Sequence, residues 1–444
     1  MAPPERVVRV AVLGCGNVGS ALVGMVQDRS DALAVQCGAR LEVAGIAVSD
    51  PDRRRDPHIP RALLTTEPGR LVADPSIDVV VELMGGLDPT YQLVKAALEA
   101  GKPVVTANKA LLASPEGVEL RTLARSQGVD LLYEAAVAGA IPLVRALRES
   151  LTGERIHRVM GIVNGTTNFI LSRMSEQGAD YADVLAEAQA LGLAERDPTA
   201  DVEGFDAAAK AAILCGVAFG YDVSGAEVMR EGITGIRTAD IEFAERAGYA
   251  VKLLAIVERT GDDAVSVRVH PAMVPKIHPL AGVRDAFNAV FIEGEAAGEL
   301  MLYGLGAGGR PTASAVVGDL IDATRNLMAG TTAPSPERMP ARLLPESELR
   351  AEYFVSLDVS DRPGVLAAVA AVFGDHRVSI RSMEQASAEP GSPGGHEGDG
   401  DGARLMFMTH GACEGDVRST LEALDGLGAV RRIGGVIRVV GDGG

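Results

Sequence analysis

From Arg6 to Leu13 the chain alternates polar with apolar residues and then runs apolar, RVVRVAVL, before Gly14-Cys15-Gly16-Asn17-Val18-Gly19 and the helical stretch SALVGMVQDRS. The predicted order is strand, glycine turn, helix. Further β-branched runs at Leu41 to Val48, Ile77 to Leu83, Pro103 to Thr106 and Asp130 to Tyr133 read as strands, with helical patterns such as YQLVKAALEA between them. Strands that alternate with helices predict a parallel, doubly wound α/β sheet.

The pattern changes after Glu134. AAVAGAIPLVRALRESL reads as a helix leading away from the sheet, followed by a strand from Arg155 to Val163 and a turn at Asn164 to Asn168. Helices near Asn168 to Gln177, Tyr181 to Leu191 and Gly204 to Phe219 precede strands at Tyr249 to Glu258, Val265 to Val269 and Ala289 to Glu293. This is an α+β unit. A glycine turn is expected from Tyr303 to Gly309, and the helix after it returns to the first sheet. The Pro-, Ser- and charge-rich stretch from Thr331 to Leu349 reads as a linker.

A third unit follows: a strand at Tyr353 to Val359, the turn Asp361-Arg362-Pro363-Gly364, a helix at Val365 to Phe373, strands near Val378 to Met383 and Arg404 to His410, and a helix at Gly415 to Leu424. Its βαββαβ order and DRPG turn resemble the ACT regulatory domain. The insertion SAEPGSPGGHEGDGDG should be a disordered loop. The expected division is 1–135 for nucleotide binding with 305–330 returning to it, 136–304 for substrate, 331–350 as linker and 351–442 as the ACT unit.

Composition narrows the function. A net charge of −18 argues against nucleic acid or an anionic membrane, which both demand clustered cations, and favours a small metabolite. No apolar run is long enough to span a bilayer, and the N-terminal stretch lacks a signal-peptide core. Cys15, Cys37, Cys215 and Cys413 are scattered, which fits a reducing, cytoplasmic setting and no metal-ligand spacing.

Two segments carry chemistry. The glycines at 14, 16 and 19 would let backbone approach a pyrophosphate at a helix start, with Asn17 and Val18 in the same turn. A GxGxxG alone is weak evidence; its place between a strand and a helix strengthens it. The second strand ends in AVSDPDRRRD, where the ribose is usually read: Asp50 would favour NAD, while Arg53, Arg54 and Arg55 tip the reading towards NADP. The other segment is GLAERDPTADVEGFDAAAK, Gly192 to Lys210, which gathers five acidic residues and one lysine. Asp206 and Lys210 are four apart and share a helix face. The bland alternative is a surface ion pair worth roughly 0.3 to 0.5 kcal/mol, but the run AAAKAAILCGVAF is too apolar for an exposed helix, and a buried lysine needs a reason.

The chain resembles homoserine dehydrogenases, NAD(P)-dependent enzymes that interconvert aspartate 4-semialdehyde and homoserine. The likeness rests on the fingerprint at Gly14, TANKALLA at Thr106, YEAAVAGAIP at Tyr133, GIVNGTTNFIL at Gly161, the Gly192 to Lys210 segment and YGLGAGGRPTASAV at Tyr303. It implies catalysis by Lys210, the proton donor, with Lys109 and Asp206, and substrate contacts at Glu195, Asp206 and Asp201, the last helping to organise the site; a substrate carboxylate would further need donors, expected from Gly165, Thr166 and nearby backbone. Cofactor contacts are expected at the fingerprint and Arg53, and at Thr106, Lys109, Gly192 and Gly304. It also implies a monovalent cation, sodium, held by the Glu134 carboxylate and the backbone carbonyls of Val137, Gly139 and Ile141. Threonine is the implied effector, near Asp361 to Gly364 and the strand from Val378, in a homodimer or homotetramer.

Three other readings compete. One is a different nicotinamide dehydrogenase for a small amino or hydroxy acid. Another is a semialdehyde dehydrogenase, which would need a reactive cysteine that none of the four positions suggests. The third is a silent amino-acid sensor, which would have no use for a proton donor.

Overall fold

The computed structural model describes residues 6–261, 264–387 and 402–441. Its first sheet is wholly parallel, with strands in the order Leu64–Thr65, Arg40–Ala47, Val7–Leu13, Val79–Glu82, Val104–Thr106 and Leu131–Leu132. Helices cover both faces, so the strands can be apolar throughout. Val8, Val10 and Val12 point into a core with Leu22, Val23 and Val316. Ala11 and Leu13 point the other way, towards Val94, Leu98 and Leu120. The 21-residue helix Gly309–Ala329 lies against Asn17–Asp28 and returns the chain to this unit, as expected.

A second sheet of twelve strands runs through the rest of the described residues. Its main path is Gly298–Leu305, Phe287–Gly294, Ile156–Ile162, Tyr249–Thr260, Ala264–Pro275, Val430–Val439, Arg350–Ser360, Gly402–Thr409 and Ile380–Ser387. The last four strands, with helices Val365–Asp375 and Glu414–Asp425, form the βαββαβ unit. That unit is not hung on a tether. Ala272 and Met273 pair in parallel with Arg438 and Val439, so one sheet passes from the substrate unit into it.

Three expectations need correction. Residues 135–151 do not form one helix: a 3₁₀ turn at Glu134–Ala136 gives way to irregular backbone, then a short helix at Leu143–Arg145 and a π turn at Ala146–Ser150. Ala138 and Gly139 both have positive φ, and a Cβ on Gly139 would lie 2.4 Å from the Gly306 carbonyl oxygen. Tight backbone contact replaces helix there. The glycine turn expected from Tyr303 starts later, because strand Gly298–Leu305 pairs with Phe287–Gly294 as far as Leu305. Finally, residues 331–349 are a strap more than a free linker. Met339–Pro340 and Arg342–Leu343 add to strands Tyr221–Asp222 and Ala264–Pro275, and Arg338 donates to the Tyr133 hydroxyl at 2.7 Å. The expected loop across 388–401 lies outside the described residues.

Arg438 fastens the junction between the substrate and C-terminal units. Its guanidinium takes both oxygens of Glu414, at 2.9 and 2.8 Å, and one oxygen of Glu231 at 2.7 Å. Phe243 stacks on Phe354 nearby, with ring centroids 4.6 Å apart. Removing one member of so buried a pair strands the other charge, at a cost of about 3 kcal/mol or more. Arg438→Ala should therefore lower unfolding free energy by about 3 kcal/mol in urea denaturation followed by circular dichroism. A change under about 0.5 kcal/mol, the usual size for a surface substitution, would show that sheet pairing alone holds the junction.

Candidate active site

Helix Phe205–Phe219 is buried along most of its length, and its first turn carries Asp206 one turn before Lys210. Asp206 is 6 % exposed and Lys210 9 %, which removes the surface-pair reading. The Lys210 Nζ donates to Asp206 Oδ2 at 2.7 Å and to the Val163 carbonyl at 2.6 Å. Lys109 comes from the nucleotide unit. It opens the short helix Lys109–Leu112, just beyond strand Val104–Thr106, and forms an ion pair with Asp206 Oδ1. One carboxylate thus holds two lysines from two structural units.

Asn164 completes the arrangement. Its Nδ2 donates to Asp206 Oδ2 at 2.9 Å and to Asp201 Oδ1 at 2.7 Å. Its Oδ1 accepts the Thr167 N–H at 2.9 Å, capping helix Gly165–Gln177. In the sequence Asn164 reads as a turn residue, and a cap asparagine gives no separate signal that its amide also reaches two distant aspartates.

The three charges separate in protonation. Burial pushes the Asp206 carboxyl up, but Lys210 and Lys109 overrule it and hold it well below the usual carboxylate range. Burial also drives the Lys210 ammonium down, with Lys109 adding to the effect and Asp206 opposing it. Lys109 is desolvated too, yet Asp206, then Asp201 and Glu195, raise it above an ordinary lysine. Lys109 is thus the more firmly charged of the two lysines and Lys210 the more easily deprotonated.

Around this centre, Thr166 Oγ1 donates to the Leu193 carbonyl at 2.8 Å, tying its helix to the acidic loop. Gly165 packs so closely that a Cβ would lie 2.7 Å from the Ala286 carbonyl oxygen. Glu195 is exposed, and its charge reaches Lys109. Gly192 is exposed, with φ +72°.

A crevice of about 300 Å³ lies beside Lys109, lined by Val18, Leu83, Met84, Gly85, Gly86, Ala107, Asn108 and Ala110. It opens beyond the carboxyl ends of adjacent strands Val7–Leu13 and Val79–Glu82, where the connections diverge to opposite sides. The residues fit a dinucleotide. Gly14, at φ +102°, has space for no side chain, since a Cβ would be 2.6 Å from the Leu83 carbonyl oxygen. Gly16 caps helix Asn17–Asp28 with nothing within 4 Å of its Cβ position.

Other expected cofactor residues are placed differently. Thr106 is turned inward, donating to Glu82 Oε2 at 2.5 Å, while Glu82 Oε1 accepts the N–H groups of Met84 and Gly85. Gly304 lies in a strand opposite Asn288, and it is Gly309 that meets the fingerprint helix, its Cβ position 2.9 Å from the Asn17 carbonyl oxygen. Arg53 is exposed; Arg55 bonds the Asp50 carbonyl at 2.7 Å and reaches the Cys15 thiol in the fingerprint turn. Burial pushes the Cys215 thiol up to about 12 and that of Cys37 to about 11, the opposite of an activated nucleophile.

Residues 14–134 match the family pattern described as homoserine dehydrogenase, NAD binding domain; residues 142–321 match homoserine dehydrogenase, and residues 353–429 match the ACT domain. A dinucleotide crevice opening onto a lysine-held carboxylate, in a chain with these matches, defines an NAD(P)-dependent oxidoreductase acting on CH–OH groups. The chain is 50 % identical to a homoserine dehydrogenase of Mycobacterium tuberculosis over 448 residues, covering 100 % of both chains. It is 48 % identical to that of Corynebacterium glutamicum, over 99 % of this chain and 97 % of the relative. A crystal structure of a homoserine dehydrogenase from Thiobacillus denitrificans superposes with a TM-score of 0.90 at 39 % identity, covering 98 % of each chain. A hyperthermophilic archaeal homoserine dehydrogenase in complex with NADPH superposes with a TM-score of 0.61 at 31 % identity, covering 72 % of this chain and 98 % of that one. The chain belongs to the homoserine dehydrogenase family and carries its NAD-binding and ACT domains.

Asn164 should act as a positioning residue. Asn164→Ala is expected to lower kcat about tenfold, about 1.4 kcal/mol of barrier, with KM for the cofactor within about twofold. An unchanged kcat in steady-state assays would mean that the two lysines hold Asp206 without help.

Proposed function

We propose that this chain interconverts L-aspartate 4-semialdehyde and L-homoserine, with NADP preferred to NAD. The observation that carries the reading is the buried Asp206, held between Lys109 at the nucleotide crevice and Lys210 on the substrate side. When bound, the nicotinamide supplies or accepts the hydride. The chain's residues do the rest. Lys210, its acidity increased by burial, gives a proton to the carbonyl oxygen during reduction, directly or through a water held by Asp206, and takes it back during oxidation. The substrate ammonium is met by Glu195, Asp201 and Asp206, and its carboxylate by the free N–H groups of Gly165 and Thr166 at a helix start.

Two features favour NADP. One oxygen of the Asp50 carboxylate is engaged within its own turn, accepting the N–H groups of Asp52 and Arg53 at 2.9 and 3.2 Å, which weakens it as a bidentate ribose acceptor. Arg53 and Arg54 are exposed at the same turn. A dimer would form through edge strand Gly298–Leu305, where Leu300, Tyr303 and Leu305 are exposed. Threonine feedback through the ACT unit and a cytoplasmic setting, which the four free cysteines fit, belong to the same reading. Among the described residues, no helix is long and apolar enough to cross a membrane.

A sodium ion would sit beside two buried carboxylates, of which Glu134 already accepts the N–H groups of Val144 at 2.9 Å and Arg145 at 2.7 Å. Glu134 and Asp319 are buried together, the Glu134 N–H donating to Asp319 at 2.7 Å, and Arg145 must serve both Asp319 and Asp322. Burial, then Glu134, pushes the Asp319 carboxyl up to about 7. Among the described residues no three acidic, His or Cys side chains are grouped to hold a metal, so a cation would need the carbonyls of Val137, Gly139 and Ile141 beside Glu134.

Lys210→Ala should reduce homoserine-dependent reduction of NADP by at least about 100-fold in kcat, with NADPH binding by fluorescence unchanged. In the unsubstituted enzyme, oxidation requires Lys210 neutral, so its rate should rise with pH through a Lys210 pKa lying below that of ordinary lysine. That limb should vanish in the variant; an effect on KM alone would contradict proton transfer. Replacing sodium by tetramethylammonium at fixed ionic strength should lower both the melting temperature and kcat, and Glu134→Gln should abolish the difference. Equal melting temperatures in the two salts would remove the cation.

A further inference from the structure

Residues 49–58 lead from the second strand of the parallel sheet to the 3₁₀ turn Arg61–Leu63, passing from buried Val48 to buried Ile59. They carry Arg53 and Arg54, the exposed cations that favour NADP. Inside the segment the bonds are local: Asp50 accepts from Asp52 and Arg53, and Arg55 donates to the carbonyls of Asp50 and Arg53. Two side chains tie the segment to the fingerprint. Arg55 reaches the Cys15 thiol, and His58 reaches Ser20, in the first turn of helix Asn17–Asp28.

The contacts of His58 set its proton count. Nε2 lies 2.9 Å from the Ser20 carbonyl oxygen, and Nδ1 lies 2.7 Å from the Asp56 carboxylate. A carbonyl and a carboxylate can only accept, so both contacts are hydrogen bonds only when both ring nitrogens carry a proton. A neutral imidazole must give up one of them. The ring fits because Gly24 of the same helix has no side chain; a Cβ there would lie 3.0 Å from Nε2. Among the described residues, the charged groups that face the ring are Asp56 in its own segment and Asp28 from the helix. The Ser20 carbonyl, then Asp56 and Asp28, outweigh the partial burial that opposes them and raise His58 above the ordinary histidine range.

We propose that His58, as the imidazolium, is a positioning residue for cofactor choice: it pins the arginine-bearing segment to the fingerprint helix, so preference for the 2′-phosphorylated dinucleotide weakens as the ring loses its proton. It rests on the reading of Arg53 and Arg54 as the phosphate contacts. Contacts that raise a pKa are at full strength below the ordinary histidine value of about 6.5, and they are lost as pH rises through the raised value. The 2′-phosphate works in the opposite direction. Its second ionisation, at about pH 6, adds charge as pH rises and strengthens the arginine contacts, so it cannot produce a falling preference. Lys210 titrates at the nicotinamide end, acts on both dinucleotides alike and divides out of their ratio. Burial pushes the Cys15 thiol up, so it keeps its proton while His58 titrates.

The test is fluorescence titration of the full chain with NADPH and with NADH, from about pH 6.5 to about pH 8.5 at fixed ionic strength, in the wild type and in His58→Gln, with melting curves to establish folding. In the wild type the ratio of NADPH affinity to NADH affinity should fall at least about fivefold across that range, the effect of one lost hydrogen bond. Glutamine keeps a donor but has no proton to lose, so His58→Gln should show a lower ratio at the acid end and no fall. A wild-type ratio that does not fall, or an equal fall in His58→Gln, would overturn the role of His58 and leave the NADP reading in place. Tighter binding of NADH than of NADPH at every pH would overturn both, so the two failures are told apart. Binding is read without turnover, which keeps either failure distinct from a failure to oxidise homoserine.

Discussion

The Asp206 carboxylate is the interaction on which the arrangement depends, because it is held by one lysine from the nucleotide unit and one from the substrate unit. Without it, two ammonium groups would face each other in a desolvated site. With it, the nucleotide sheet and the substrate helix are correctly placed only when Lys109 and Lys210 both reach the same carboxylate. Leaving Asp206 or Lys210 unpaired in so buried a place would cost about 3 to 5 kcal/mol, whereas Lys109 is half-exposed and solvent would compensate it. The docking of two units and the formation of the catalytic centre are therefore one event.

Much of this was legible in the residues. The parallel sheet followed from apolar strands alternating with helices, since strands buried on both faces must be apolar throughout. The Asp206 and Lys210 pair followed from a four-residue spacing inside an apolar run, which signals a buried face. What resisted reading was set by contacts distant in sequence. The segment after Glu134 has helical composition, yet Gly139 must pass against Gly306, a neighbour 167 positions away by number alone. Thr106 and Gly304 illustrate the same limit: a motif places a residue near a site without saying which way it turns. Asn164 is the converse, a cap residue whose second role depends on aspartates brought to it by tertiary folding.

Continuity of the second sheet changes what the C-terminal unit can do. A unit on a flexible tether could act only through that tether, but strand Val430–Val439 is hydrogen-bonded into the substrate unit's own sheet. Arg438 adds a charged clamp across that seam. A displacement of the last strand is then felt at Glu231 and at the loop before the catalytic helix without passing through residues 331–349. The strap also contacts Tyr133 and Asp222, so it fixes the angle between units more than it transmits movement.

The protonation states give the site its direction. Two lysines share one carboxylate but differ in surroundings: Lys109 is half-exposed and has Asp201 and Glu195 within electrostatic reach, while Lys210 is buried with Lys109 opposing its charge. The same carboxylate therefore stabilises one ammonium fully and the other only in part. A symmetric pair would titrate together and deliver no defined proton. Asymmetry leaves a firmly held cation beside the nucleotide crevice and a more easily deprotonated one on the other unit, the arrangement that the proposed proton transfer to a developing charge on oxygen would use. Any change that equalised the two environments, even while preserving both ion pairs, would remove that division of labour.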